Sequence, residues 1–224
     1  MSARDAILNK VRGALGSAQD DPARRAAVSE RLAKAPKGVI PARGQLDDFA
    51  RVALFCDRAD YVAATVMRVK SPDDVPRAVT SYLRQKNLAP QIRMGADRRL
   101  KRMPWAGQRS LEIRPGPSDG DDEVGVSHAL GGIAETGTVV LASGGDNPTT
   151  INFLPEHHIV VVDAGDIAGD LETILARVRK AYGKGAMPRT LNLVTGPSRS
   201  GDIEQKIILG AHGPRALHLI VVGG

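Results

Sequence analysis

Short apolar runs alternate with amphipathic segments from Tyr61 to the end of the chain, and this alternation constrains the fold more than any other feature. Runs rich in β-branched residues predict buried strands, and apolar residues at three- and four-residue spacing predict helices. This order indicates an α/β fold with an open, mostly parallel sheet and helices on both faces. The predicted strands are 61–69, 91–94, 110–113, 138–141, 159–162, 191–194 and 217–222, and the predicted helices between them are 72–86 and 168–182.

The first 58 residues follow a different pattern, which predicts a helical appendage. Apolar residues recur at helical spacing over 4–15 and 22–35, where each helix has only a thin apolar face. Helices of this length are marginal alone in water, so we expect them to pack on the main body or on another chain. A linker over 36–44 and a helix over 45–58 follow, and the α/β domain is predicted over 59–224.

Composition excludes several classes of protein. The chain has 224 residues, 42% of them hydrophobic, and lacks an apolar run near the roughly 18 residues of a membrane span, which predicts a soluble globular protein. The first residues include a carboxylate and no long apolar segment, which favours a cytoplasmic location. Cys56 is the single cysteine, so the chain has no internal disulfide and cannot alone supply the four thiolates of a typical iron–sulfur cluster.

Basic residues concentrate in the first half of the chain. Residues 1–118 hold 23 of the 31 Lys and Arg residues, and the densest basic cluster lies over 98–102, beside Trp105. Such a cluster can meet a phosphate, a nucleic acid or an acidic partner subunit. Aromatic residues make up only 3% of the chain, and no nucleic-acid-binding motif accompanies the cluster. We therefore expect a solvated basic face and no nucleic-acid partner.

The segment 195–218 concentrates hydroxyl, guanidinium, carboxylate and imidazole groups between two predicted strands, as is typical of a binding loop. A helix of about two turns is predicted between Gly201 and Gly210, and its amino end would favour an anionic ligand. A simpler interpretation is that Asp202 only caps this helix and Arg199 only pairs with a neighbouring acid. The candidate ligand-binding residues of this segment are Ser198, Arg199, Asp202, His212 and Arg215.

A second polar group lies directly before a predicted strand. Glu135 is a candidate catalytic residue, because a carboxylate beside a hydroxyl can act as a general base or nucleophile; a structural acid is the alternative. Thr136 and Gly137 are candidate ligand contacts, since a glycine lets a ligand approach closely. Ligands of open parallel sheets bind beyond the carboxyl ends of strands, so the loops after Leu141 and Val194 are expected to form one site.

The remaining motifs carry weaker signals. The turn 144–147 either cradles a ligand or is an ordinary connection. The sequence contains no dinucleotide fingerprint, P-loop or serine-hydrolase elbow. His157 and His158 are adjacent, so in a strand their side chains point to opposite faces, and no shared metal site is expected. Among the dispersed histidines, His212 has the best case for contacting a substrate.

Three segments occur together in a characteristic order: Gly-Ile-Ala-Glu-Thr-Gly-Thr-Val-Val-Leu at 132–141, Leu-Pro-Glu-His-His-Ile-Val-Val-Val at 154–162, and the polar segment 195–218. On the basis of these three segments, the chain resembles the LUD-domain family over about residues 60–222. Within that family it resembles the lactate-utilisation protein C group. The resemblance implies a fold similar to the superfamily of phosphosugar isomerases, ribose-5-phosphate isomerase and CoA transferases. It also implies a role beside two iron–sulfur partner proteins in oxidising L-lactate to pyruvate.

Three functions follow from these observations, and we favour the first. It is a non-redox subunit of an L-lactate dehydrogenase complex that binds a small anion, L-lactate or pyruvate, through Arg199 or Arg215, with Ser198 as a donor and His212 as a proton acceptor. No cofactor is expected on this chain, and iron–sulfur clusters are expected on the partner subunits. The second is a stand-alone CoA-transferase-like or sugar-phosphate-isomerase-like enzyme that uses Glu135. The third is a scaffold with a vestigial pocket, and a homo-oligomer is open in each case.

Overall fold

The structure is a computed structural model that describes residues 2–16, 21–183, 185–203 and 206–223, with only the backbone over 201–203 and 206–208. The chain divides into two compact units, one up to Val39 and one from Ile40 onward. Within the described ranges, no helix has the length and apolar character needed to cross a membrane.

The smaller unit holds two helices close to their predicted positions, α1 (Ala3–Ala14) and α2 (Pro22–Lys34). A capping box starts α1, in which the Ser2 hydroxyl accepts from the Asp5 amide and the Asp5 carboxylate accepts from the Ser2 amide. The Asp21 carboxylate caps the start of α2 by accepting a hydrogen bond from the Arg24 amide, as N-cap aspartates commonly do. No described residue of either helix is buried, so the surface that covers their apolar faces stays a prediction.

The central sheet of the larger unit has six strands, all parallel, which confirms the predicted fold class. Buried Ile and Val side chains point to both faces of its inner strands, as a parallel sheet between two layers requires. In spatial order the strands are β1 (Thr65–Val69), β12 (Ala216–Val222), β7 (His157–Asp163), β4 (Val124–His128), β2 (Gln91–Met94) and β3 (Glu112–Pro115).

Different layers cover the two faces of this sheet. One face packs against α4 (Val75–Gln85) and the short α5 (Arg98–Lys101), where Val79 and Leu83 join the same apolar cluster as Ile159. The other face packs against α3 (Asp48–Tyr61) and a smaller sheet of four strands. The strands of this small sheet, in spatial order, are β8 (Ile167–Ala168), β5 (Gly131–Ile133), β6 (Thr138–Ala142) and β9 (Leu191–Val194).

The strand β6, in the interior of the small sheet, is buried on both faces. In β6, Val139 and Leu141 point toward the central sheet, whereas Val140 points toward α6 (Leu171–Tyr182) and packs with Ile174. Successive strand residues alternate between faces, so the apolar run of β6 packs against the central sheet on one side and against α6 on the other. The larger unit is therefore a layered α/β structure with two sheets.

The helix α3 belongs to the larger unit, so the predicted domain boundary after residue 58 falls inside a helix that builds its core. Val52, Phe55 and Ala59 are buried in the cluster between α3 and the two sheets. An amphipathic pattern shows that a helix has an apolar face, but it does not show which body that face covers. The division of the chain consequently lies earlier than the sequence predicts.

The prediction of a helix between Gly201 and Gly210 is wrong. The backbone instead forms an antiparallel hairpin of β10 (Arg199–Ile203) and β11 (Lys206–Leu209). The β-branched residues of β11 favour a strand, and Gly201 disfavours a helix, so the apolar spacing alone did not decide the structure. The predicted binding role of Asp202 concerns a side chain outside the described residues, and without a helix the dipole argument for an anion no longer applies here.

The loops after Leu141 and Val194 do not form one site, which corrects a second expectation. The strands β6 and β9 are antiparallel, with Leu141 opposite Asn192 and Val139 opposite Val194. Their carboxyl ends therefore lie at opposite ends of the small sheet. The turn 134–137, which precedes β6, lies at the same end as the loop after Val194.

We expect Gly137→Ala to destabilise the larger unit by about 2–4 kcal/mol. Gly137 has φ of +67°, and a Cβ there would lie 2.4 Å from the Ala59 amide nitrogen on α3. Urea unfolding measures the loss, and Gly107→Ala is the control, because a Cβ at Gly107 meets no atom within 4 Å. Equal losses in the two variants would show that this turn does not pack tightly on α3.

Candidate functional site

A cavity of about 430 Å³ lies between the loop that follows β9 and the segment that precedes β12. Three predicted ligand contacts line it, namely Ser198, Arg199 and His212. Ser198 joins the two segments, because its amide donates to the Pro214 carbonyl at 2.8 Å and its Oγ accepts the His212 amide at 3.4 Å. The structure thus brings three of the predicted residues to one site.

The wall of this cavity also contains Asn152 and His158, neither of which was predicted from the sequence as a ligand contact. His158 Nε2 lies 3.0 Å from Ser127 Oγ. The Ser127 hydroxyl donates its one hydrogen to Asn152 Oδ1 at 3.0 Å, so it accepts from His158. The neutral imidazole therefore carries its proton on Nε2, and Nδ1 is left as an acceptor.

His158 Nδ1 is buried and has no hydrogen-bond partner among the described residues. The ring is only 1% exposed. Burial lowers the pKa of His158 to about 3, so the imidazole is neutral near pH 7. A buried acceptor without a donor costs roughly 1–3 kcal/mol. A ligand that offers a hydroxyl or N–H group to this atom would remove that cost.

Arg199 supplies positive charge to the cavity. Its side chain is exposed, and no carboxylate of the described residues lies within ion-pair distance of its guanidinium. Arg215, in contrast, lies 3.5 Å from Glu156 Oε2 and lines a neighbouring cavity together with His212. A guanidinium can bind a carboxylate through two parallel hydrogen bonds. Of the two predicted arginines, Arg199 lines this cavity and Arg215 does not, so the geometry favours Arg199.

Glu135 occupies the turn between β5 and β6 and is not among the residues that line the cavity. Its carboxylate is largely buried, with Oε2 3.5 Å from Arg43 Nη2. Thr136 is connected to the site more directly. The hydroxyl groups of Thr136, Thr138 and Thr195 form a chain with 2.7 Å between successive oxygens, and Thr195 lines the cavity. The turn and the cavity are neighbours, but the Glu135 carboxylate contacts Arg43 instead.

The adjacent histidines show why the sequence missed part of the site. In β7, His158 points toward the small sheet and the cavity, whereas His157 points toward α4, where its Nδ1 lies 2.8 Å from Tyr82 Oη. The local pattern is the same for both residues, so it cannot select one of them. One signal was available in the sequence. His158 is a polar residue in a buried, mostly apolar strand, and a buried polar side chain requires a hydrogen-bond partner.

Because His158 and His218 are buried, we predict that the free energy of unfolding falls in acid. Burial lowers the pKa of His158 to about 3 and, together with Lys86, that of His218 to about 4. The unfolded chain titrates near pH 6.5 and binds more protons below that pH, so the free energy of unfolding falls by roughly 1.4 kcal/mol per pH unit for each histidine. For His218 the loss runs from about pH 6.5 to about pH 4.

Urea unfolding at pH 7 and pH 5 measures this dependence. We expect His218→Gln to reduce the difference between the two pH values, because glutamine does not titrate. His212→Gln is the matched control, since His212 is exposed. A pH dependence that is the same in both variants would contradict burial of a neutral His218.

Residues 52–222 match the family model described as the LUD domain. The chain belongs to the LUD domain family. The match begins inside α3 and ends at the last residue of β12, so the central sheet, the small sheet and the cavity all lie within the LUD domain.

Relatives support this membership over part of their length. A lactate utilization protein C of Geobacillus thermodenitrificans is 38% identical over 100 residues, which are 44% of this chain and 42% of that protein. A lactate utilization protein C of Shouchella clausii is 31% identical over 100 residues, 45% of this chain and 44% of that protein. The matched part of the chain thus spans less than half the length of these curated relatives.

A solved structure shares the fold. The crystal structure of a DUF162 family protein from Deinococcus radiodurans superposes with a TM-score of 0.58 at 21% identity, and the match covers 80% of this chain and 99% of that one. At this identity the likeness bears on the fold alone. The further resemblance to sugar isomerases and CoA transferases stays a prediction.

Proposed function

We propose that this LUD-domain chain is the non-redox, substrate-binding subunit of an L-lactate oxidation complex, and that its cavity binds a small 2-hydroxy carboxylate. The relatives named lactate utilization protein C support the metabolic role. One observation carries the ligand class: the unpartnered, buried acceptor His158 Nδ1 belongs to the wall of a cavity that also presents the Arg199 guanidinium.

A 2-hydroxy carboxylate offers a group for each of these side chains. Its carboxylate oxygens accept hydrogen bonds from the Arg199 guanidinium, and its hydroxyl donates to His158 Nδ1. The Ser198 hydroxyl is a further donor for the carboxylate. A 2-oxo acid such as pyruvate has the same carboxylate but no hydroxyl hydrogen. We therefore expect L-lactate to bind more tightly than pyruvate.

Partner proteins complete the proposed reaction. Oxidation of L-lactate to pyruvate removes two electrons and two protons from the substrate. The only cysteine of this chain, Cys56, is partly buried in α3, so a cluster with four thiolate ligands requires other chains. Iron–sulfur partner proteins would then accept the electrons, and this chain would recognise and orient the substrate.

A stand-alone enzyme that uses Glu135 is less well supported. The Glu135 carboxylate lies against Arg43 and outside the cavity, and Arg99 of the basic cluster is paired with Asp97. We expect Glu135→Gln to change the binding free energy of L-lactate by less than about 0.5 kcal/mol, measured by calorimetry. A loss as large as that of an Arg199 variant would favour the enzyme that uses Glu135.

Co-purification of the tagged full chain from its native host tests the proposed function. We expect iron–sulfur proteins to co-purify and L-lactate dehydrogenase activity to appear in the assembled complex and not in the chain alone. Activity of the isolated chain, or a complex that is equally active without it, would contradict the proposal.

A further inference from the structure

A smaller cavity, of about 170 Å³, lies at the amino ends of β2 and β4, beside the loop that joins β3 to β4. We call it the edge cavity, and its lining residues are 89, 91–93, 114 and 121–124. Among the described residues, none lines both the edge cavity and the cavity that contains His158. The edge cavity is therefore a separate place on the molecule.

Asp122 presents an open acceptor at the wall of the edge cavity. Its side chain is only 2% exposed, and its Oδ2 atom accepts from Arg93 Nε at 2.7 Å and from Ser118 Oγ at 2.8 Å. Its Oδ1 atom is buried and has no hydrogen-bond partner among the described residues. Buried carboxylate oxygens are normally hydrogen-bonded, so Oδ1 is suited to a ligand that donates a hydrogen.

The charges of the lining favour a cation. Three carboxylates, those of residues 121–123, and the guanidinium groups of Arg93 and Arg114 line the edge cavity. Each guanidinium already donates to a carboxylate, Arg93 to Asp122 and Arg114 to Glu112 Oε1 at 3.0 Å. The other two carboxylates of the lining are on exposed residues, where a ligand can reach them. A positively charged donor is thus favoured over an anion.

We infer that the edge cavity binds a small molecule with a primary ammonium group, which donates to Asp122 Oδ1. A hydrogen bond from an ammonium group to a carboxylate is stronger than one from a neutral hydroxyl. A guanidinium donates as a planar fork to both oxygens of a carboxylate, but Oδ2 of Asp122 already accepts two hydrogen bonds. The cavity volume equals that of roughly five to six waters, which limits the ligand to a small amine.

Nuclear magnetic resonance of the full chain labelled with ¹³C at the aspartate carboxyl carbons tests this site. The probes are methylammonium, tetramethylammonium, methylguanidinium and methanol, compared at neutral pH and constant ionic strength. We expect methylammonium to shift the Asp122 Cγ signal in a saturable way and at lower concentration than each of the other probes. An equal response to another probe, or no saturable response to methylammonium, would overturn the inference.

A pair of double variants sharpens the result. Asp121→Asn combined with Glu123→Gln removes two charges from the lining and leaves Asp122 in place. We expect methylammonium to bind about threefold more weakly or less tightly still, because two favourable charge interactions are lost. Asp60→Asn combined with Asp73→Asn is the matched control, since both are exposed acids outside the edge cavity. Unchanged binding in the first double variant, or equal weakening in both, would overturn the inference.

Discussion

The variant Phe55→Ala is expected to lower the free energy of unfolding by about 3–5 kcal/mol. Phe55 is fully buried between α3 and the two sheets, and its ring fills the space over Gly132, where a Cβ would lie 2.9 Å from Phe55 Cε2. Because the interior is close-packed, the surrounding side chains refill only part of the volume that the ring leaves. The loss is a large part of the roughly 5–15 kcal/mol that a typical domain has.

Urea unfolding of the full chain measures this effect, with Phe49→Ala as the matched control. Phe49 lies on the same helix but is 74% exposed, and the Arg68 guanidinium lies 5.9 Å from its ring centroid. We expect this control to lose about 0.5–1 kcal/mol at most. Similar losses in the two variants would mean that α3 is part of a loosely attached appendage and not of the LUD-domain core.

The largest expected effect on binding belongs to Arg199. We expect Arg199→Ala to weaken L-lactate binding by about 1.5–3 kcal/mol, or roughly 10- to 150-fold, because a charge-assisted hydrogen-bond pair is lost. Calorimetry on the full chain measures the affinity. Arg109→Ala removes an exposed arginine that does not line the cavity and should leave the affinity unchanged. Equal affinities of Arg199→Ala and the unmodified chain would remove Arg199 from the site.

Local sequence patterns were sufficient to predict those elements whose secondary-structure preference is not changed by tertiary contacts. The strands β2 and β9 occur with the predicted bounds, since each is a short stretch of alternating apolar residues that is soon followed by a glycine. The strand β4 was missed because Gly125, Ser127 and His128 interrupt its apolar pattern. A Cβ at Gly125 would lie 2.8 Å from Ile151 Cγ2, so tertiary packing explains a residue that local propensity disfavours.

Only part of the candidate site was predicted, because the rest depends on tertiary contacts. Ser198, Arg199 and His212 are close in sequence, and the ends of β9 and β12 bring them to one cavity. His158, Ser127 and Asn152 come from separate elements. The pairing of β4 with β7 brings Ser127 to His158, and Asn152 reaches Ser127 from the turn 149–152 before β7. Spacing along a chain does not encode such a contact, because it depends on which strands become neighbours.

The pairing of strands also decided where loops lie. The expectation that the loops after Leu141 and Val194 form one site assumed that β6 and β9 run in the same direction. Their antiparallel pairing separates these loops by the length of β6, roughly 16 Å at 3.3 Å per residue. Strand direction follows from the connections of the whole domain and could not be derived from either strand alone.

The most direct test of the proposed ligand site is the response of His158 to L-lactate. In the full chain labelled with ¹⁵N-histidine, we expect an unprotonated Nδ1 in the free protein, and a saturable shift of that signal when the lactate hydroxyl donates to it. Pyruvate at the same saturation should shift it much less, since it has no hydroxyl hydrogen. A His158 Nδ1 signal that is unchanged at saturating L-lactate would contradict the account.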